Sequence, residues 1–420
     1  MNSPAIIETI VSQHAEEAAF LWLLRNGAVH EPHYSLDDLA KLDDRVEAHL
    51  DGLRIAGEGG WSLCRENLEI KEPGEVFAAG VLALESKDID KLEAVYSVVE
   101  EVPETAGAMI SALGWVKSNN LSGKVSGLLA SKEALWRRIG LAACAIHRVD
   151  PGNNLIKGLE DESAEVRARA ARAAGELGRA DIKTRLLSAL TDDNESVRLW
   201  SAWSAVLLGD RGSAVRYLSD LLLDGGQGLG VGLAVLIRSL DLAKSKLLLG
   251  ELVRNPTTMR LAIQGVGNTG DTEYIPWLIK HMENPEHARV AGEALSSITG
   301  VDIAYDDLEG EWPDGFEAGP SEDPDDDNVA MDEDEDLPWP EPKLITDWWR
   351  RQSQEFQGGQ RYLLGKSVTP EHCQWVLVNG KQRQREAAAL EIALMRPNAE
   401  LFETRMVGKL QQKILSTTPA

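Results

Sequence analysis

Residues 155–178, LIKGLEDESAEVRARAARAAGELG, and residues 185–210, RLLSALTDDNESVRLWSAWSAVLLGD, are two copies of one pattern. Val166-Arg167 recurs as Val197-Arg198 and Gly178 as Gly209, both 31 positions later. Each copy runs from an apolar stretch through an Asp/Asn/Ser turn into a second apolar stretch that stops at glycine. The turn residues are helix N-caps, and the glycine is a helix C-terminus. Outside the two copies, Arg137 lies 30 before Arg167, Arg260 lies two periods after Arg198, and Arg289 follows 29 later. Weaker copies begin near residues 75 and 104. Two helices of about ten residues cannot bury an apolar face alone, so successive pairs must stack.

This period and layout predict an all-α protein, a right-handed α-solenoid that resembles the short form of the HEAT repeat. About seven or eight units fit between residues 75 and 300. The alanine-rich second helices allow close packing. The repeated arginine is expected to bond the acidic turn of its own or the neighbouring unit, for which Asp161, Asp192 and Asp193 are placed, rather than to form a basic stripe.

The domain layout follows from that frame. Residues 1–70 hold two amphipathic stretches and are expected to form an N-terminal helical cap with a polar outer face. Residues 71–301 are the repeats, 302–342 an acidic loop containing Trp and Pro, and 343–420 a C-terminal helical unit. In that unit Thr369-Pro370-Glu371 reads as a cap and first turn, and QRQREAAALEIALM as a helix stopped by Pro397. The glycine cluster GGQGLGVG (225–232) reads as a loosened helix start, with no preceding strand and no Lys-Ser/Thr after it to hold phosphate.

Composition excludes several classes. The formal charge of −25 argues against nucleic acid or anionic lipid as a direct partner and favours a basic one. No apolar run reaches membrane-span length, and the N-terminus lacks the basic start of a signal peptide. Three scattered cysteines make no disulfide framework or zinc site, so a cytoplasmic location is expected. His30 and His33 in HEPHY have metal-ligand spacing, but no further ligand cluster accompanies them, and no metal or other cofactor is expected. Phosphate loops and nucleophile motifs are missing too, so the chain does not read as an enzyme.

The stretch SEDPDDDNVAMDEDEDLPWP (321–340) is the candidate binding element. Between Asp302 and Asp336 lie 17 acids and no Lys or Arg. Like charge at that density repels itself and stays extended unless a cation or basic partner neutralises it. The expected partner contacts are Asp306, Asp307, Glu309, Glu311, Asp314, Glu322, Asp323, Asp325, Asp326, Asp327, Asp332, Glu333, Asp334, Glu335 and Asp336, with Trp312 and Trp339 as apolar anchors. Removing 321–336 is expected to leave the helical content and the melting behaviour nearly unchanged.

The C-terminal block RYLLGKSVTPEHCQWVLVNGKQRQREAAALEIALMRPNAELF, together with the helical N-terminus and the repeats, resembles a proteobacterial HEAT-repeat family encoded beside type VI secretion genes. Some members look like immunity proteins to secreted DNase toxins. The resemblance implies toxin neutralisation by protein–protein contact, with an effector-loading adaptor as the alternative. It supplies no catalytic motif.

Overall fold

A computed structural model describes residues 7–226, 228–319 and 331–417. Among them helices and short turns predominate, with a single two-stranded hairpin. None of the described helices is long and apolar enough to cross a membrane. The chain divides into two compact units, one ending at Leu208 and resuming at Pro397, the other spanning Gly209–Arg396.

The first unit opens with α1 (Glu8–Ala28), α2 (Leu36–Ala56) and α3 (Glu58–Asn67). Ser35 starts α2 with a capping box, its hydroxyl accepting from the Asp38 N–H while the Asp38 carboxylate accepts from the Ser35 N–H. Then come α4 (Pro73–Glu85), α5 (Ile89–Glu101), α6 (Ala106–Trp115), α7 (Lys124–Leu129) and α8 (Ala134–Ile146). The unit continues with α9 (Asn153–Leu159), α10 (Ala164–Glu176), α11 (Lys183–Ser188) and α12 (Glu195–Leu207). Trp22 stacks on Phe77 at 5.0 Å, and Trp115 meets Phe77 edge-on at 5.4 Å, which ties α1, α4 and α6 together. The outer face of this cap is less polar than expected, because α1 leaves Phe20, Leu23 and Leu24 exposed.

From α4 onward the second helices stack in a row, α4 on α6, α6 on α8, α8 on α10 and α10 on α12. Small residues permit it. Ala170, Ala171, Ala173 and Ala174 are fully buried, and a Cβ on Gly175 would lie 2.5 Å from Ser204 Oγ. That hydroxyl instead donates to the Ala171 carbonyl at 2.6 Å.

The repeated arginines form a ladder on the turns. Arg137 donates from Nε and Nη2 to both oxygens of Asp161, at 2.7 and 2.8 Å, and from Nη1 to the carbonyls of Ser131 and Lys132. Arg167 does the same one unit on, to Asp192 at 2.8 and 2.9 Å and to the carbonyls of Asp161 and Glu162. Each aspartate also closes its own turn, accepting the N–H of Ser163 or Asn194 at 2.9 Å. The two arginine forks hold both carboxyls below the usual aspartate range. The arginine thus serves its own turn and the next one together. Arg198 keeps the carbonyl bonds, to Asp192 and Asp193, but no carboxylate among the described residues pairs with it.

The second unit holds α13 (Ser213–Asp224), α14 (Leu229–Ser239), α15 (Leu242–Leu252), α16 (Met259–Thr269), α17 (Ile275–His281) and α18 (Pro285–Thr299). After the acidic segment come α19 (Pro342–Gln352), the hairpin of β1 (Tyr362–Leu363) and β2 (Lys366–Ser367), α20 (Pro370–Asn379) and α21 (Gln382–Met395). Thr369 caps α20 as its sequence predicts, accepting from the His372 N–H. The strands pair antiparallel, Tyr362 opposite Ser367 and Leu363 opposite Lys366.

The hairpin and the residue before it close three helix C-termini. Tyr362 N–H donates to Gly270, Leu364 N–H to Ser297 and Gly365 N–H to Ile298. Arg361 donates to the carbonyls of Arg238, Asn268 and Thr269 and pairs with Glu391. These are the orphan carbonyls of α14, α16 and α18, and the guanidinium also meets the negative ends of two helix dipoles.

The C-terminal block is not one unit. Residues 397–417, including α22 (Gly408–Thr417), pack on the first unit. Leu401 N–H donates to the Glu176 carbonyl at 3.0 Å, and Arg148 Nε to the Leu401 carbonyl at 2.7 Å. Farther along, buried Arg25 donates to the carbonyls of Arg405 and Met406 while pairing with Asp43, which accepts the Gly408 N–H. A strap with so many backbone bonds is hidden in a sequence that reads only as a helix stopped by Pro397.

Candidate partner-binding site

The acidic segment leaves α18 at Gly300, whose φ of 76° ends the helix. Val301, Ile303 and Leu308 turn inward and are buried, which pins the first residues to the unit. The far end returns beside the start. Gly310 N–H donates to the Trp339 carbonyl at 2.8 Å, and Glu341 N–H to the Leu308 carbonyl at 2.9 Å. This pair of bonds closes a neck that holds the two ends of the segment together.

Past the neck, an aromatic group forms. Trp312, Phe316 and Trp339 lie with ring centroids 5.1 to 5.8 Å apart, and Trp312 Nε1 donates to the Phe316 carbonyl at 2.7 Å. Trp339 is 9% exposed and belongs to the core, whereas Trp312 is 51% exposed. The guanidinium of Arg289, from α18, sits 5.1 Å from the Trp312 ring and 5.2 Å from the Trp339 ring.

Arg289 is buried, and its counter-charge comes from the returning acidic segment. It donates from Nη2 to Asp332 Oδ1 at 2.9 Å and from Nη1 to the Asp334 carbonyl at 2.8 Å. Arg260, from α16, pairs with both oxygens of Asp334, and its Nε lies 3.0 Å from Glu333. Asp332 also accepts the Asp334 N–H at 3.0 Å, the bond that Asp161 makes to Ser163 and Asp192 to Asn194. Asp332-Glu333-Asp334 therefore imitates a repeat turn and extends the ladder. Burial pushes the Asp332 carboxyl up, but the Arg289 bond and the turn N–H outweigh it and hold the group below its usual range.

This revises the picture of a wholly solvated, self-repelling run. Asp332 and Asp334 are bound to arginines of their own chain, and Trp339 is packed inside, so these three of the expected contacts serve the fold. Asp306, Asp307, Glu309, Glu311, Asp314, Glu333, Glu335 and Asp336 are exposed, as is half of Trp312. Glu322, Asp323, Asp325, Asp326 and Asp327 lie outside the described residues. Arg260 and Arg289 were legible in the sequence as repeat positions but not as the holders of this segment. The signal that could have found them is the Asp-x-polar triplet shared by 161–163, 192–194 and 332–334.

The stacked pairs, their period and the arginine-bound turns identify the repeat. Residues 152–228 match the family model for HEAT repeats. That stretch holds α9 to α13 and the Arg167 and Arg198 rungs. HEAT repeats stack helix pairs as this chain does, which agrees with the all-α solenoid architecture of the repeats. No curated protein matches the chain.

Proposed function

We propose that this chain binds and neutralises a basic protein toxin through the exposed acids of its acidic segment. The observation that carries this reading is the closed neck with its internal arginine ladder. Three carboxylates, Asp332, Glu333 and Asp334, pair with Arg289 or Arg260, and Asp306, Asp307, Glu309, Glu311, Asp314 and Glu335 remain on the surface, as does half of Trp312. A segment anchored at both ends loses less entropy on binding than a free tail, and its charge speeds encounter with a basic face. The half-exposed indole adds an apolar anchor that salt does not screen.

A nuclease is a fitting target, because a surface that attracts DNA phosphate is basic. The toxin class, a secreted DNase of a type VI system, rests on the resemblance of the C-terminal block and the repeats to proteins encoded beside such genes. Co-expression with the neighbouring toxin tests the reading, comparing the natural chain with a variant carrying Glu309→Gln, Glu311→Gln and Asp314→Asn. Rescue of growth by the natural chain, weakened in the variant, is the expected result. Equal rescue by both would move the contact off the acidic segment. Binding without rescue, with altered secretion, would point to an effector-loading adaptor instead.

A further inference from the structure

In the second unit, the C-terminus of α14, the residues from Gln360 to Val368 and the last turns of α21 border a cavity of about 390 Å³. Arg211, Arg238 and Arg361 line it together with one carboxylate, Glu391. Arg361 is fully used, donating to three carbonyls and to both oxygens of Glu391. Arg211 donates from Nη1 to the Asp210 carbonyl at 2.9 Å.

Arg238 is different. Its side chain is 8% exposed, yet only Nη1 makes a hydrogen bond to a described residue, the Ala234 carbonyl at 3.1 Å. Glu391 Oε1 is held by Arg361 and lies 3.5 Å from Arg238 Nε, an ion pair without a hydrogen bond. Structural pairs elsewhere leave partnerless nitrogens on Arg138, Arg169, Arg260 and Arg289, but those are sealed from solvent. Nη2 of Arg238 has no partner among the described residues and is not sealed. The solvent it meets is the cavity that Arg238 lines. Burial, with Arg361 close by, outweighs Glu391 and Glu386 and pulls this guanidinium down to about 10. The cation is short of counter-charge.

We propose that Arg238 anchors a binding site for a small organic monocarboxylate whose apolar body lies against Val368, Leu394 and Met395 of the same cavity. A buried guanidinium with unbonded N–H groups bonds a planar carboxylate strongly. The volume suits a ligand of small-molecule size. Glu391 and Glu386 beside the same cation disfavour a doubly charged anion such as phosphate. The site belongs to the second unit alone and stands whether or not the acidic segment binds a basic toxin.

The test is isothermal titration calorimetry of benzoate and of hexanoate on the full chain. Saturable binding of at least one, weakened about tenfold in Arg238→Gln, is the expected result, since one charge-assisted hydrogen bond is lost. Benzamide, the neutral counterpart of benzoate, should bind about tenfold more weakly or not at all. Arg254→Gln, at an exposed arginine that does not line the cavity, should leave the affinity unchanged. Ser367→Phe puts a ring into the cavity while keeping Arg238, and it should abolish binding. That variant carries the test if Arg238→Gln does not fold. Failure of both carboxylates to bind, unchanged affinity in a folded Arg238→Gln or in Ser367→Phe, or an equal loss in Arg254→Gln would each overturn the proposal. Binding of inorganic phosphate, lost in Arg238→Gln, without binding of either carboxylate would overturn it in favour of a phosphate site.

Discussion

Arg289 donates to Asp332 at 2.9 Å across 43 residues of sequence, so a residue of the last repeat helix and one of the acidic segment share a single buried charge pair. The pair sets what the acidic segment contributes to stability. Arg289 is 3% exposed and touches two tryptophans as well as the Asp334 carbonyl. Arg289→Ala takes the guanidinium from Asp332 and from the Asp334 carbonyl, leaving them only the N–H groups of Asp334 and Leu337, and it should cost about 3 kcal/mol in chemical denaturation. The same experiment on a chain lacking 321–336 should show a comparable loss, against the sequence-based expectation of almost none. Unchanged midpoints would mean that the pair contributes nothing net.

The two tryptophans should separate cleanly. Trp339→Ala removes a buried ring and should cost about 3 kcal/mol, while Trp312→Ala removes a half-exposed one and should cost about 1 kcal/mol or less. If Trp312 also anchors a basic partner, its replacement lowers binding more than stability. Calorimetric melting and a binding titration on the same two variants check both points.

Acid should unfold the ladder. Arg137 and Arg167 hold Asp161 and Asp192 below the usual carboxylate range, so both aspartates bind protons less readily folded than unfolded. Their stabilisation is complete above the unfolded value of about 3.9 and is lost as pH falls through the lower folded values. Melting temperature should therefore stay flat from pH 7 to about 5 on account of these groups and drop below about 4. A variant with Asp161→Asn and Asp192→Asn should start lower at pH 7 and fall less in acid. A slope equal to that of the natural chain would assign the acid transition to other groups.

Thiol chemistry gives an independent reading of the core. Burial pushes the Cys64 and Cys373 thiols up to about 12 and that of Cys144 up to about 11. At pH 8 the reactive thiolate is scarce in all three. Ellman's reagent should find no fast thiol in the native chain and three after denaturation. One fast equivalent would place a cysteine at the surface.

At the hairpin tip, Gly365 has a φ of 79°, and a Cβ there would lie 2.6 Å from the Thr299 carbonyl oxygen. Gly365→Ala meets both a strained backbone and a clash with α18, so it should destabilise by more than about 1 kcal/mol. A gain in stability would show that the tip moves aside.

Much of this fold is written locally. Val166-Arg167 and Val197-Arg198 gave the period, and the ladder bonds expected of Arg167 lie within one unit of it. The Thr369 cap and the helix ending before Pro397 are likewise nearest-neighbour effects. What stayed hidden depends on distant pairs. Asp334 meets Arg260 across 74 residues, and Asp43 meets Gly408 across 365. Charge density pointed the wrong way for Asp332 and Asp334, because an acidic run reads as solvated until a buried arginine is found beside it. Local pattern carries no information about which arginine that is.

The strap at 397–417 has a consequence for synthesis. Residues up to Leu208 emerge first from the ribosome, yet their unit also contains residues after Pro397. At about 5–20 residues per second, those early helices wait some tens of seconds for the partner of Glu176, Arg25 and Asp43. Until then Arg25 and Asp43 lack the carbonyls and the N–H that the strap brings. A message cut short before the codons for 397–417 would yield a chain whose earlier-made helices are the part left unfinished.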